Sequence, residues 1–332
     1  MGPAMRRFGL PLLRLVAGVT VLWFLAQHLG AAPFRDGLSA VTWPAIVAAV
    51  TLTALATACS AWRWRVVARA LGIGISLPGA IGAYYRSQFL NSVLIGGVIG
   101  DVHRAVTHGR RSGDVGLGLR AVAWERLWGQ VIQGLVTGVV LLTLPSPLRP
   151  ALPYVLTGLA GVALCAVLIC RGAQRGSHSR LARTVRAVSD DLRYGLLARE
   201  VWPRLTLASL LVVTGHTATF VIAARVAGST APLGELIALL MVIQTAMVIP
   251  LSIGGWGLRE GAAAWAFSAA GFGAASGVTV TTLYAVLMLA AVGPGAGMLV
   301  ADAVRRNRGL VTDLGAPLTV PPTWREAERL VR

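Results

Sequence analysis

Seven apolar runs recur along the chain, at about 9–29, 41–62, 118–144, 151–170, 205–227, 234–252 and 277–301. Each is close to the ~20 residues that a helix needs to cross the hydrocarbon core of a bilayer. No other feature constrains the fold as much. Inside lipid every backbone N–H and C=O must be satisfied internally, and single runs of this length meet that condition as α-helices. Composition agrees: 55% of the residues are hydrophobic and 13% charged, against roughly 25% charged in soluble domains, and the mean hydropathy is +0.70. The expected fold class is an all-α polytopic membrane protein with about seven spanning helices. The N-terminal stretch MGPAMRRFGLPLLRLVAGVTVLWFLAQHLGAA has a basic lead. Its apolar run is too long for a typical signal h-region, so it is expected to remain as the first span.

The formal net charge is +17, and every basic residue is Arg. On a soluble chain that balance would point to nucleic acid. Here the arginines cluster between apolar runs, which is the orientation pattern of a membrane protein, and no nucleic-acid partner is expected. Arg6 and Arg7 precede the first run, Arg63, Arg65 and Arg69 follow the second, and Arg305, Arg306 and Arg308 follow the last. The loop 171–204 holds eight arginines. These clusters place both termini in the cytoplasm of a bacterial cell, with the protein multi-pass in the inner membrane. The transmembrane domain is expected over 1–308, including 171–204 as a basic cytoplasmic loop, and 309–332 as a cytoplasmic tail. The loop suits either an amphipathic helix on an anionic leaflet or a solvated connection. Cys59, Cys165 and Cys170 sit in or beside apolar runs and are expected to be small core residues.

Parity constrains two interrupted segments, 76–99 and 257–273. Arg69 lies inside, and so do Arg104, Arg110 and Arg111, so 76–99 must enter and return on the cytoplasmic side. The chain is outside near 230 and again near 275, so 234–273 enters and returns from the other face. The two share text: FLNSVLIGGVIGDVHR at 89–104 and MVIPLSIGGWGLREG at 247–261. Aligning Ile95-Gly96-Gly97 with Ile253-Gly254-Gly255 brings Asp101 within one position of Glu260. Paired broken segments of this kind point to an inverted repeat with two re-entrant hairpins and a site near the midplane.

A broken helix in lipid leaves backbone groups unsatisfied, at several kcal/mol each, unless protein or a wet cavity covers them. Glycine permits such a break, Pro250 bends the chain ahead of it, and the helix starting near Leu258 turns its positive end back toward it. Charges at depth cost roughly 2.5–3.5 kcal/mol each on insertion scales and so face the interior and pair. Arg259 and Glu260 are neighbours that point in different directions on a helix, so each is expected to need a different partner. AVAWERLWGQ at 121–130 adds Glu125 and Arg126. The expected pairs are Glu125 with Arg259 or Arg104, and Arg126 with Asp101 or Glu260. Arg86, in YYRSQFLN with Asn91, is the best lone candidate to hold a lipid phosphate, the alternative being that it snorkels to the cytoplasmic interface. His216 and Gln244 suit hydrogen bonds between helices. The candidate substrate-binding set is Arg86, Asn91, Gly96, Gly97, Asp101, Arg104, Glu125, Arg126, Gly254, Gly255, Arg259 and Glu260. There is no metal-ligand spacing, no Ser-His-Asp arrangement and no Gly-rich loop followed by Lys-Ser/Thr, so no catalytic residue, metal or cofactor is expected.

Taken together, FLNSVLIGGVIGDVHR, WERLWG and IPLSIGGWGLREGAAAWAF resemble the lysylphosphatidylglycerol synthase transmembrane-region family, also called flippase-like domain proteins, across about 10–305. The membrane half of the multiple peptide resistance factor is similar. One departure is Ile95, where the family often has proline before the glycine pair. The resemblance implies non-ATP translocation, or flipping, of an anionic phospholipid or a lipid-linked headgroup of the polyprenyl-phosphate type. It implies no enzyme activity, and the cytosolic acyltransferase domain of the resistance factor is not expected. The alternatives are a non-catalytic membrane partner of a separate glycosyltransferase or lipid-modifying enzyme, and a small-solute transporter. Homo-oligomerisation is left open.

Overall fold

The computed structural model of the chain describes residues 19–94, 97–144, 149, 191, 196–247 and 256–315. Every regular element among them is a helix: α1 (Val19–Leu29), α2 (Ala32–Ser39), α3 (Trp43–Ala70), α4 (Leu77–Val93), α5 (Ile99–Arg111), α6 (Val115–Thr143), α7 (Trp202–Val226), α8 (Leu233–Ala246), α9 (Leu258–Ala269), α10 (Ala274–Val292) and α11 (Pro294–Gly315). The run 151–170, most of the loop 171–204, Cys165, Cys170, Pro250, Ile95, Gly96, Ile253, Gly254, Gly255 and the end of the tail lie outside the described residues.

Three of these helices are long and apolar enough to cross a membrane: α3, α7 and the nearly continuous α10–α11 stretch Ala274–Arg305. At 1.5 Å per residue, the 28 residues of α3 extend about 42 Å. Proline starts α3, α4 and α7 within the first turn, where its missing N–H costs no intrahelical bond. α6 runs for 29 residues but carries Arg120, Glu125 and Arg126 in its first half. Its outer face is a stripe of exposed Leu127, Val131, Leu135, Val139 and Leu142, a spacing that keeps one helix face apolar. A stripe that long, left open, suits a lipid environment rather than water. This is an integral membrane protein.

Several boundaries differ from the sequence expectation. The interrupted segment 76–99 is one helix, α4, up to Val93, and the helix that packs against it next in the chain is α5, beyond it. The run 234–252 holds a helix of only 14 residues, about 21 Å and shorter than a bilayer core. α2 forms around Arg35 and Asp36, between the first two apolar runs.

Two buried cores organise the bundle. One packs Trp64, Val67, Tyr84, Ala105, Ala121 and Leu205 around α4 and α5. The other packs Phe220, Leu236, Leu240, Ala263, Phe267 and Leu283 around α8, α9 and α10. α3 and α7 contribute to both cores and pack closely on each other, so the two interrupted helix pairs share one frame.

Candidate functional site

The first break is held by side chains reaching across it. Asn91, in the last turn of α4, accepts from the Gly100 N–H at 2.8 Å and donates to Asp101 Oδ2 at 3.1 Å. Ser87 Oγ donates to Asp101 Oδ1 at 3.0 Å. Asp101 is the third residue of α5, where a carboxylate faces the positive end of the helix. Gly100 brings α5 against α4 backbone to backbone: a Cβ there would lie 2.0 Å from the Ser87 carbonyl oxygen.

Behind this hinge lies a chain of ion pairs. Glu125, on α6, is fully buried. It accepts from Arg63 Nε at 2.9 Å, from the Tyr84 hydroxyl at 2.8 Å and from Arg104 Nη2 at 2.7 Å. Arg63 also donates to Ser209 Oγ on α7 at 2.9 Å. Gly129, one turn along α6 from Glu125, leaves room for it; a Cβ there would lie 2.9 Å from Arg63 Nη1. Arg104 donates from Nε to Asp101 at 3.1 Å, and its guanidinium lies over the rings of Tyr84 and Trp64, at 4.2 and 4.8 Å. Arg126 Nη2 donates to Asp101 Oδ1 at 2.8 Å. Arg63, Arg104 and Arg126 against Asp101 and Glu125 leave one positive charge in excess.

Of the pairs expected from sequence, Glu125 with Arg104 and Arg126 with Asp101 are the ones formed. Arg63 was assigned to the cytoplasmic cluster and is instead a buried member of the network. Arg259 and Glu260 do not take different partners. Arg259 donates to Glu260 Oε1 from Nε at 3.0 Å and Nη2 at 2.8 Å, while Glu260 Oε2 accepts from the Gly257 N–H at 2.7 Å. The reason is the helix start: a glutamate at the third position folds back to the cap N–H, and the long arginine side chain follows it. Gly257 sits at φ +87°, which glycine adopts without steric cost. Arg86 is not lone either. It pairs with Asp302 on α11 at 2.9 Å, with both side chains part-exposed.

A cavity of about 540 Å³ lies between the two helix pairs. Gly97 borders it from the first break and Trp256 from the second. Arg126 and Arg259 line it, with Asp101, Asn91, Gln130, His216, Gln244 and Tyr284. His216 lies 3.4 Å from the Tyr284 hydroxyl, a contact between α7 and α10. Gln244 Nε2 and Arg126 Nε have no partner among the described residues. Arg104, Glu125 and Glu260 stand behind the wall: Arg104 holds Asp101 and Glu260 holds Arg259, both of which face the space, Glu125 holds Arg104 in turn, and Arg86 stands apart. Such a chamber offers planar guanidinium donors to an anion, and phosphate oxygens fit their geometry. Among the described residues no group of histidines, cysteines and carboxylates could hold a metal. Asn91, Asp101, Arg126 and Arg259 are thus brought together as the sequence suggested. His216, Gln130, Gln244 and Tyr284 complete the lining, as single polar residues on apolar helices.

The family model described as the lysylphosphatidylglycerol synthase TM region matches residues 12–295. No curated protein and no solved structure matches the chain.

Proposed function

From the premise that the chain belongs to the lysylphosphatidylglycerol synthase transmembrane-region family, we propose that it moves a phosphate-bearing lipid headgroup across the bacterial inner membrane without ATP. The family ties the chain to membrane lipid. The observation that carries the finer reading is the central cavity, bordered by both helix breaks and presenting Arg126 and Arg259. In this reading the headgroup phosphate takes the guanidinium donors, the acyl chains stay in lipid beside the apolar outer faces, and Asp101 and Glu260 hold the arginines when the site is empty.

The reading includes two opposed re-entrant hairpins, α4–α5 and α8–α9, among about seven spans related by an inverted repeat. Three correspondences support it. Asp101 and Glu260 are each the third residue of the helix after a break. Gly118 and Gly277 are each the fourth residue of the next helix. A Cβ at Gly118 would lie 2.5 Å from the Ala105 carbonyl, and one at Gly277 would lie 2.5 Å from the Ala263 carbonyl, so both crossings are equally close. Small residues at helix crossings of this kind are the usual means of packing in lipid.

The test uses the purified chain in liposomes. Four fluorescent lipids are compared: phosphatidylglycerol, its aminoacylated form, a polyprenyl phosphate and a neutral diacylglycerol. Protein-dependent movement of at least one phosphate-bearing lipid, without diacylglycerol, is expected. Equal movement of diacylglycerol would return the arginines to scaffolding. A chain that moves none of the four would favour a docking partner for a lipid-modifying enzyme instead.

A further inference from the structure

A second cavity, of about 480 Å³, lies between the α3–α4 connection, α4 and α5, and shares no lining residue with the central one. Its floor holds Trp64 and Arg104, 1% and 2% exposed. Three nitrogens there have no partner among the described residues: Trp64 Nε1, Arg104 Nη1 and His108 Nε2. The rest of the Arg104 guanidinium is committed, Nε and Nη2 to Asp101 and Glu125, so Nη1 is the arm left over. Ser76 and Thr107 add hydroxyls, Arg86 (paired with Asp302) and Arg111 add guanidiniums, and no carboxylate among the described residues lines the space. The start of α4 opens onto it as well, with Ser76 Oγ accepting from the Gly79 N–H. Each buried donor left unpaired keeps its full desolvation cost, larger for a charged group. A ligand that accepts from an indole N–H and a guanidinium at once removes that cost. The donors, the surplus of positive charge and a helix N-terminus favour the same class of acceptor, a tetrahedral oxyanion.

We propose that this cavity is a second anion site that binds a phosphate group, carried either by a soluble phosphate or diphosphate or by a lipid headgroup. It goes beyond the translocation reading and does not depend on it, because no residue of the central cavity takes part. The two are nonetheless one guanidinium apart. Asp101 Oδ1, which accepts from Arg104 Nε, also accepts from Arg126 in the central cavity.

Binding is measured by calorimetry on the purified chain in phosphate-free detergent buffer. The probes are inorganic phosphate, diphosphate and dioctanoyl phosphatidic acid, with dioctanoylglycerol as the neutral control. Saturable binding of at least one phosphate probe is expected. Inorganic phosphate or diphosphate saturating the site assigns it to a soluble anion; phosphatidic acid alone assigns it to a headgroup. Arg111→Ala is expected to weaken binding roughly tenfold, the scale of one charge-assisted hydrogen bond. Thr107→Asp is expected to abolish binding at this site, and Arg259→Ala to remove only what binds in the central cavity, leaving the binding that Arg111→Ala weakens. A thermal melt without ligand checks each variant; if Thr107→Asp does not fold, Arg111→Ala decides. The proposal is overturned if no phosphate probe saturates the protein. It is equally overturned if Arg259→Ala removes binding while Arg111→Ala and Thr107→Asp keep it.

Discussion

The methyl group that alanine would add at Gly100 meets the Ser87 carbonyl oxygen at 2.0 Å, and neither partner is the end of a flexible side chain. Gly100→Ala should therefore push α5 off α4 and cost on the order of 1–3 kcal/mol, the usual scale of overpacking. Gly138→Ala on α6 meets nothing within 4 Å and should be neutral or slightly stabilising. Thermal melts of the two variants in detergent check this; equal midpoints would mean the crossing is looser than described. Single residues also show what the sequence hides. The pairs Glu125–Arg104 and Arg126–Asp101 were legible because interior charges of opposite sign must meet. Arg63 was not, since it stands in WRWRVVAR beside Arg65 and Arg69 and looks like part of a surface cluster. A signal was present: no glycine or proline interrupts the chain from Trp62 to Leu71, so the helix had no reason to end at 62. The partner of Arg86, Asp302, lies 216 residues away in the chain, and no local pattern points to it.

At the scale of the helix pair, the break between α4 and α5 was legible from glycine text, but the place where the chain turns back was not. The apolar run ends near 99, whereas the helix that packs on α4 is the polar, amphipathic α5. Its inward face is made of Asp101, Arg104, Ala105 and Gly109, which hydropathy alone assigns to solvent. The hairpin reading predicts a labelling pattern. With the native cysteines replaced, Arg69→Cys and Arg110→Cys should react with an impermeant maleimide from the same side of an oriented vesicle. Thr230→Cys and Ser276→Cys should react from the opposite side. All four parent residues are exposed, so reactivity reports sidedness rather than burial. Labelling of Arg69→Cys and Arg110→Cys from opposite sides would turn α4–α5 into a crossing and remove the inverted repeat.

In the molecule as a whole the charged residues fall into two tiers. Arg63, Arg104 and Glu125 are buried where α3, α5 and α6 meet. Arg126 and Arg259 border the central cavity, and the Arg126 side chain is 41% exposed. The tiers should fail differently. Glu125→Ala leaves buried Arg63 without a carboxylate and Arg104 with Asp101 alone, a defect that typically costs about 3–5 kcal/mol. It should show as a lower melting temperature and poor recovery from the membrane. Arg259→Gln leaves Glu260 its bond from the Gly257 N–H and removes a donor that faces the cavity. It also takes the charged partner from a buried carboxylate, so it should lower the melt, though less than Glu125→Ala does, and lower phosphatidylglycerol movement by roughly 10–100-fold, the worth of about 1.5–3 kcal/mol for a hydrogen bond to a charged group. Counting all seven, Arg63, Arg104, Arg126 and Arg259 against Asp101, Glu125 and Glu260, the interior keeps one positive charge, and Arg259→Gln cancels it. Phosphatidylglycerol, with one negative charge, should lose more than a zwitterionic lipid in the same assay. If Arg259→Gln slowed both lipids equally, the arginine would be acting on the shape of the cavity and not on the charge of what enters it.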